Sequence, residues 1–141
     1  MANDSSDFAR SMAIATSGLR AQAGRMRVIS ENIANADSTA PTSAGDPYRR
    51  KVPTFSSALD RSLDARVVTL GKVRTDQSAF RIKNEPGNPA ADVAGNVKYP
   101  NVNPLVEMTD MRDAQRSYEA NLNIISATRR MIQRTLDILK S

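Results

Sequence analysis

Apolar residues recur every three or four positions at both ends of this chain. Near the carboxyl terminus one apolar row returns at every seventh position, as Met111, Tyr118, Ile125, Ile132 and Leu139. Near the amino terminus the apolar residues are spaced by three and then four positions, as in Met26, Ile29 and Ile33, and Leu19 lies seven positions before Met26. Such spacing puts apolar side chains on one side of a helix. It predicts one helix from about Asp7 to Asn35 and another from about Leu105 to Lys140, packed together as a coiled-coil-like pair.

The prolines separate these two ends from the middle of the chain. All seven lie between residues 41 and 104, at Pro41, Pro47, Pro53, Pro86, Pro89, Pro100 and Pro104. Proline removes a helical hydrogen-bond donor, so long helices are expected only outside this region. The predicted fold class is therefore mainly α, with long terminal helices in residues 1–40 and 105–141 and a Pro/Gly-rich middle segment in residues 41–104.

The middle segment is expected to contain short strands and turns. β-branched and alternating apolar residues in Arg66–Val73 and Ser78–Lys83 predict that these two stretches form a small β-hairpin. The spacing of Ala58, Leu59, Leu63 and Ala65 is compatible instead with one or two helical turns. Pro86–Pro89 predicts tight turns, and Pro100–Pro104 an extended lead into the last helix.

Two details of the first helix follow from its polar and small residues. Ser5, Ser6 or Asp7 is expected to cap its start through a side-chain oxygen. Gly18 and Gly24 lie inside the helix, where each glycine costs up to about 1 kcal/mol relative to alanine. They indicate either exposed positions without a packing role or the close approach of another backbone.

The last helix has more apolar surface than one neighbouring helix can cover. Ile124, Met131 and Ile138 form a second row beside the first, and Leu122 and Leu136 form a partial third. Isolated helices of this kind are marginal in water, and a two-helix hairpin buries only one side of such a surface. The additional contact surface must come from other chains. The pattern therefore predicts an assembly subunit.

Composition argues against a compact enzyme. The 141 residues include three Phe, three Tyr and no Trp, Cys or His. The chain therefore lacks the commonest general base and the commonest transition-metal ligands. Gly71-Lys72 lacks the remaining pattern of a phosphate-binding loop. Glu107, Asp110 and Asp113 cluster in the sequence, but Glu107 and Asp110 lie in the first turns of the predicted helix. There acidic residues favour the positive end of the helix dipole, which argues against paired catalytic carboxylates. No catalytic, cofactor-binding or metal site is predicted.

The charge leaves one alternative function open. The net charge is +5, which admits partners with acidic surfaces, including nucleic acid. On the last helix, however, basic residues alternate with acidic ones, and no aromatic residues lie between them. This arrangement favours a solvated, salt-bridged face over phosphate binding. A basic helical nucleic-acid-binding module remains the alternative.

The sequence shows neither a secretion signal nor a membrane span. The start is acidic and polar, without the basic and apolar regions of a Sec signal. No stretch approaches the roughly 20 apolar residues of a membrane helix. From composition alone the expected location is the cytosol.

Several motifs resemble the flagellar basal-body rod protein family. Ser17-Gly18-Leu19-Arg20-Ala21-Gln22, followed by Asn32-Ile33-Ala34-Asn35, is similar to the amino-terminal motif of rod and hook axial proteins. The stretch from Pro86 to Asp92, then Gly95 and Tyr99–Asn103, is similar to the segment that sets proximal-rod members apart from their siblings. Glu107-Met108, Ser117-Tyr118 and Thr135-Leu136 extend the similarity into the last helix, so it covers about residues 10 to 140.

The resemblance implies a non-enzymatic subunit of the proximal rod, the drive shaft that crosses the periplasm and transmits torque to the hook. It also implies export through the flagellar type III apparatus without a cleaved Sec signal, which replaces the expectation of a cytosolic location. The implied partners are further copies of the chain and the sibling rod proteins FlgB, FlgF, FlgG and FliE. The resemblance implies no nucleic acid, small-molecule substrate or cofactor.

Two sets of residues are predicted to make the assembly contacts. The helical set comprises Leu19, Met26, Ile29, Ile33, Met111, Tyr118, Leu122, Ile125, Ile132, Leu136 and Leu139. The set specific to rod proteins lies in the middle segment and comprises Pro86, Gly87, Pro89, Asp92, Gly95, Tyr99, Pro100, Asn101 and Asn103.

Overall fold

Two long helices lie at the ends of the chain, with short strands between them. The computed structural model describes residues 2–140, and side chains from residue 6 onward. The helices are α1 (Ala2–Ala34) and α2 (Pro104–Lys140). The strands are β1 (Lys51–Val52), β2 (Phe55–Asp60), β3 (Ala65–Leu70), β4 (Arg74–Thr75), β5 (Arg81–Asn84) and β6 (Asn96–Tyr99). The prediction of terminal helices around a partly β middle segment is confirmed.

The start of α1 differs from the sequence-based expectation, whereas the start of α2 agrees with it within one residue. Helix α1 begins at Ala2, so Ser5, Ser6 and Asp7 lie inside the helix, and the prediction that one of them caps it is wrong. At the start of α2 the Asn103 side-chain oxygen accepts a hydrogen bond from the Leu105 N–H at 3.1 Å. Asn103 therefore caps α2, with Pro104 at the first helical position, where its missing N–H has no helical role.

The strands pair differently from the predicted hairpin. Strand β2 pairs with β3, β5 with β6, and β1 with β4, all antiparallel, so Arg66–Val73 and Ser78–Lys83 do not pair with each other. The alternative of helical turns in residues 58–65 is also wrong, because β2, a turn and the start of β3 occupy them. The Asp60 carboxylate accepts hydrogen bonds from the N–H and hydroxyl of Ser62, and Asp64 has a φ of 46°. This local turn chemistry closes a hairpin between neighbouring strands.

Contacts divide the chain into two units. The first unit contains residues up to Met26, Thr54–Lys72 and the residues from Asp113 on. In it the β2–β3 hairpin is tied to α1 by two hydrogen bonds. The Val68 N–H donates to the Ser17 hydroxyl at 3.1 Å, and Arg10 Nε donates to the Leu63 carbonyl at 2.7 Å.

Both interior glycines of α1 face close neighbours. A Cβ on Gly18 would lie 2.7 Å from Asn121 Nδ2, and a Cβ on Gly24 would lie 2.7 Å from Leu70 Cδ2. Neither expectation for these glycines holds as stated, because both have close neighbours and those neighbours are side chains and not another backbone. The absence of a Cβ lets Asn121 and Leu70 sit against the helix surface.

The second unit contains Arg27–Pro53 and Val73–Arg112. Its apolar centre is Val97 and Tyr99 of β6 with Ala90, all buried. Arg81 joins three segments around this centre, because its guanidinium donates to the Ala36 carbonyl, in the turn after α1, and to the Pro100 carbonyl. The arginine thereby supplies a hydrogen-bond partner to two backbone carbonyls that lie outside the regular elements.

No helix in the described part of the chain is long and apolar enough to span a membrane.

Candidate assembly surfaces

The predicted seam of α2 is the least exposed side of that helix. Met111, Tyr118, Ile125 and Ile132 are half-buried. Between them, Ala114 and Thr128 are almost fully buried. On α1, Ile29 is buried, and Leu19, Met26 and Ile33 are half-buried. Beyond Ile132 the seam is no longer buried, because every residue from 133 to 140 is exposed to solvent.

Two apolar rows flank this seam and remain exposed. We call them the flanking rows: Ile124, Met131 and Ile138 on one side of the seam, and Leu122 and Leu136 on the other. Their exposure ranges from 45% at Leu136 to 74% at Ile138, and Leu139, at the end of the seam, is 64% exposed. Burying apolar surface is favourable by roughly 25 cal/mol of free energy for each Å² removed from water. Covering the flanking rows with another chain therefore lowers the free energy.

A buried polar cluster lies in the second unit, where α1 and α2 approach the β1 strand. Glu107 and Asn32 are both 0% exposed. One Glu107 oxygen accepts a hydrogen bond from Arg50 Nε at 2.5 Å, and the other accepts one from Asn32 Nδ2 at 3.0 Å. A buried carboxylate needs such partners, since an unpaired charge in a protein interior is strongly unfavourable.

Asn32 is the centre of this cluster because its amide makes four hydrogen bonds. Its oxygen accepts from the Tyr48 hydroxyl at 2.8 Å and from the Lys51 N–H at 2.9 Å. Its nitrogen donates to the Lys51 carbonyl at 2.8 Å as well as to Glu107. Both donors and both acceptor positions of the amide are used. The side chain thus joins α1, the strand at Lys51 and α2 in one geometry.

Burial and nearby negative charges extend the pH range over which the Tyr48 hydroxyl stays protonated. Burial, followed by the negative charges of Glu31 and Glu107, raises the pKa of Tyr48 to about 12. Its hydroxyl therefore stays protonated at neutral pH and remains a donor to Asn32. Arg50 also forms two longer ion pairs: its Nη1 lies 3.8 Å from Asp76 Oδ2, and its Nη2 lies 3.7 Å from Asp110 Oδ2.

Sequence reasoning missed this cluster. Glu107 was interpreted as an acidic residue favouring the start of a helix, and Arg50 and Tyr48 were assigned no role in packing. One signal was present in the sequence. Asn32 lies one residue before Ile33 and three after Ile29, so it falls on the apolar side of α1, where a polar side chain needs a buried partner.

The middle-segment residues predicted to make rod-specific contacts fall into two structural groups. Tyr99, Pro100 and Gly95 are buried, and Asn101 is half-buried. The others are exposed, namely Pro86, Gly87, Pro89, Asp92 and Asn103. Nothing in the structure tests contacts with a neighbour, so that role stays a prediction. Within the chain these residues hold the segment in a defined shape.

Hydrogen bonds to two side chains, Glu85 and Asp92, maintain that shape. Glu85 accepts from the Tyr99 hydroxyl at 2.9 Å and from Asn88, and these bonds hold the pKa of the Glu85 carboxyl below its usual value. Asp92 accepts from the N–H groups of Ala94 and Asn96, both at 2.9 Å. These bonds enclose the turns at Pro86–Pro89, which the sequence predicted correctly.

Asn101 connects this segment to the buried polar cluster. Its oxygen accepts from the Arg50 N–H at 2.8 Å, and its nitrogen donates to the Ser78 hydroxyl at 2.9 Å and to the Asp76 carbonyl at 3.1 Å. A residue of the extended lead into α2 therefore also positions the arginine that binds Glu107.

Two of the four glycines of the middle segment, Gly87 and Gly95, provide a matched test. Gly95 has a φ of 79°, and a Cβ there would lie 2.9 Å from Pro86 Cγ, whereas a Cβ on Gly87 would have no neighbour within 4 Å. We expect Gly95→Ala to lower the free energy of unfolding by about 1–3 kcal/mol, because alanine is strained at this φ and meets the proline ring. Gly87→Ala should change it by less than about 0.5 kcal/mol. Urea unfolding followed by circular dichroism measures both, and equal losses would contradict the assignment.

Among residues 2–140, no three acidic side chains gather in a way that could hold a metal ion.

Comparison with known proteins gives consistent matches along the chain. A family described as "Flagella basal body rod protein" matches residues 12–40, and one described as "Flagellar basal body rod FlgEFG protein C-terminal" matches residues 93–138. The flagellar basal-body rod protein FlgC of Agrobacterium fabrum is 52% identical over 128 residues, covering 91% of this chain and 92% of the relative. The FlgC proteins of Bacillus subtilis and Aquifex aeolicus are 37% and 36% identical, covering 92% and 95% of this chain and 97% and 98% of the relatives.

Proposed function

Since the chain belongs to the FlgC family of flagellar basal-body rod proteins and is a structural subunit of that rod, we propose that it polymerises through its two terminal helices. In this proposal α1 and α2 pack as a coiled-coil-like pair within the subunit, and the flanking rows of α2 pack against neighbouring subunits. Residues 1–40 and 105–141 form the axial helical domain, and residues 41–104 form a separate middle segment. The assembled rod transmits torque to the hook.

The exposed flanking rows carry this proposal. Ile124, Met131 and Leu136 remain about half exposed although the seam beside them is protected. A helix with an apolar stripe this wide is typically buried on more than one side. One other helix can cover only one of those sides. Neighbouring helices of other subunits would bury both flanking rows at once.

The proposed neighbours are further copies of this chain and the sibling rod proteins FlgB, FlgF, FlgG and FliE. We assign the choice among them to the exposed residues of the middle segment, because the helical motifs are of a kind shared among axial proteins. The hydrogen bonds of Asp92 and Glu85 support this, since a segment with a defined shape loses less conformational entropy when it binds.

The proposed route to the rod is export through the flagellar type III apparatus, without a cleaved Sec signal, to a position that crosses the periplasm. The relatives named above are basal-body rod proteins, which supports the basal body as the location. The relatives are structural proteins, and we propose no catalytic role for this chain. The nucleic-acid-binding alternative finds no support in the comparisons, whose matches are rod proteins.

Substitution of Met131 tests helix-driven assembly. Met131 is exposed in the subunit, so Met131→Asp should leave the fold and its stability within about 0.5 kcal/mol of the original. In the rod the same carboxylate would be buried without a partner, at a cost of several kcal/mol. We expect cells carrying Met131→Asp as their only copy to lack complete rods and to be non-motile. The measurement is imaging of purified basal bodies together with swimming in soft agar.

Two controls on the opposite, polar face of α2 accompany this variant. Asn123→Asp introduces the same charge at an exposed position, and Arg130→Ala removes an exposed charge. Both should support complete rods at matched protein levels. Complete rods bearing hooks on the Met131→Asp variant would show that this row makes no assembly contact.

A further inference from the structure

Strand β2 has one edge whose backbone groups have no partner in the described chain. The Gly71 N–H donates to the Thr54 carbonyl at 2.7 Å, so this pair is a hydrogen-bonded one. Such pairs alternate with non-bonded pairs along an antiparallel ladder, and Phe55 is registered opposite Leu70. The backbone groups of Phe55, Ser57 and Leu59 therefore point away from β3.

The same alternation explains the other edge of the hairpin. Val68 is registered opposite Ser57, so its N–H must also point outward, and it donates to the Ser17 hydroxyl of α1. The edge of β3 is thus covered at this point by α1. The edge of β2 is exposed from Phe55 to Leu59, and no described residue bonds its outward groups.

This edge also lacks the features that prevent strands from pairing with other chains. Proteins protect exposed edges with lysine, proline, charged side chains or a β-bulge. The sequence from Phe55 to Leu59 is Phe-Ser-Ser-Ala-Leu, and its register with β3 runs without a bulge. Phe55 and Leu59 are 44% and 55% exposed on the same face of the hairpin. A two-stranded hairpin of this kind is marginal alone, whereas more strands with an apolar face are stable.

We propose that the β2 edge binds the same edge of a second copy of this chain, as an antiparallel pair centred on Ser57. In this register the outward groups of each β2 meet those of the other, which allows about six backbone hydrogen bonds. Phe55 lies opposite Leu59 of the partner subunit, and Ser57 lies opposite its own counterpart. The result is a four-stranded sheet in the order β3-β2-β2-β3.

The complementarity of the strand with itself is the reason for choosing a second copy as the partner. The two large exposed apolar side chains of β2, Phe55 and Leu59, face each other across the pair. The only charged residue of β2, Asp60, lies opposite uncharged Thr54 of the partner subunit, so no like charges meet. Val68 of β3 lies on the same face as Phe55 and Leu59, so this face of the paired sheet carries apolar side chains on both sides of the central Ser57 pair. This contact is separate from the flanking rows of α2 and goes beyond helix-driven polymerisation.

Single cysteines test the geometry directly, because the chain has none of its own. In the proposed pair the Cα atoms of the two Ser57 residues lie about 5.5 Å apart, within disulfide range. The two Arg61 residues would lie on the order of 25 Å apart at about 3.3 Å per residue. We expect mild oxidation of the purified full chain to give disulfide dimers with Ser57→Cys and none with the control Arg61→Cys. Equal cross-linking of both variants, or of neither, would overturn the proposal.

Association in solution gives a second readout. Ser57→Pro removes an outward N–H while leaving the β2–β3 ladder intact, and Ser57→Thr keeps that N–H. In sedimentation equilibrium the dissociation constant of the dimer should rise at least tenfold with Ser57→Pro and stay within about threefold with Ser57→Thr and with Met131→Asp. A monomer at all concentrations, or a dimer lost with Met131→Asp but not with Ser57→Pro, would refute edge pairing while leaving helix-driven rod assembly untouched.

Discussion

Arg50→Ala is expected to lower the free energy of unfolding by about 3–5 kcal/mol, because it leaves the Glu107 carboxylate buried without its cation. Glu107 is fully buried and Arg50 Nε lies 2.5 Å from it, so solvent cannot replace the lost partner. Asn32 would remain as a neutral donor to the other carboxylate oxygen, which offsets only part of the cost. Urea unfolding followed by circular dichroism measures the loss.

The adjacent residue supplies the matched control. Lys51 also pairs with a carboxylate, that of Glu31, but both side chains of this pair are 40% exposed. Exposed ion pairs contribute about 0–1 kcal/mol, so Lys51→Ala should lower the free energy of unfolding by no more than that. Equal losses for Arg50→Ala and Lys51→Ala would contradict the burial of the Glu107 pair.

A double variant separates the lost pair from the uncompensated charge. Replacing Arg50 with Met and Glu107 with Leu removes both charges and retains apolar volume. We expect this variant to be more stable than Arg50→Ala, although Asn32 then lacks one acceptor. If the double variant were the less stable of the two, the attraction within the pair would outweigh its desolvation.

Replacing residues 84–103 with a Gly/Ser linker of equal length is expected to unfold the second unit. Val97 is 0% exposed, and Tyr99 and Val102 are also buried, so the linker removes the apolar centre. Each such side chain contributes about 1.5–3 kcal/mol when buried. Arg81 and Arg50 would lose their contacts to Pro100 and Asn101 as well. Amide exchange measured by mass spectrometry should show loss of protection in residues 27–53 and 73–83.

A milder change serves as the control for that replacement. Val93 is fully exposed in the same segment, so Val93→Ser should leave amide protection and the unfolding midpoint unchanged. Protection of residues 27–53 that survives the full linker replacement would show that the second unit does not depend on this segment. The position-specific role that we propose for the middle segment is therefore better tested at exposed residues such as Val93 and Pro89 than by exchanging the whole segment.

The terminal helices and the turns were predictable because their signals are local. The three-and-four spacing of apolar residues from Leu19 to Ile33 describes one side of a helix wherever that helix lies. Proline at 86 and 89 with glycine at 87 likewise restricts the backbone without reference to distant residues. The wide apolar surface of α2 was visible for the same reason, and the exposed flanking rows match it.

The strand pairing was not predictable from the same signals. Arg66–Val73 and Ser78–Lys83 both have strand-like patterns, but a pattern does not identify a strand's partner. The tight turn at Asp60–Asp64 joins β2 to its partner β3. Strand β5 pairs with β6, which follows the turns at Pro86–Pro89. The strand propensity of residues 55–60 was masked by their alanine and leucine, which also occur in helices.

The sequence by itself therefore determined the helical ends, the proline-limited middle segment and the wide apolar surface of α2, since each follows from the periodicity or from proline geometry. Only the tertiary structure decided which strands pair and that Asn32, Arg50 and Glu107 form one buried cluster. The physical reason is distance along the chain, because Asn32 and Glu107 are separated by 75 positions and their hydrogen bond depends on the whole fold. Local patterns describe what a segment can form, and burial decides which partner it meets.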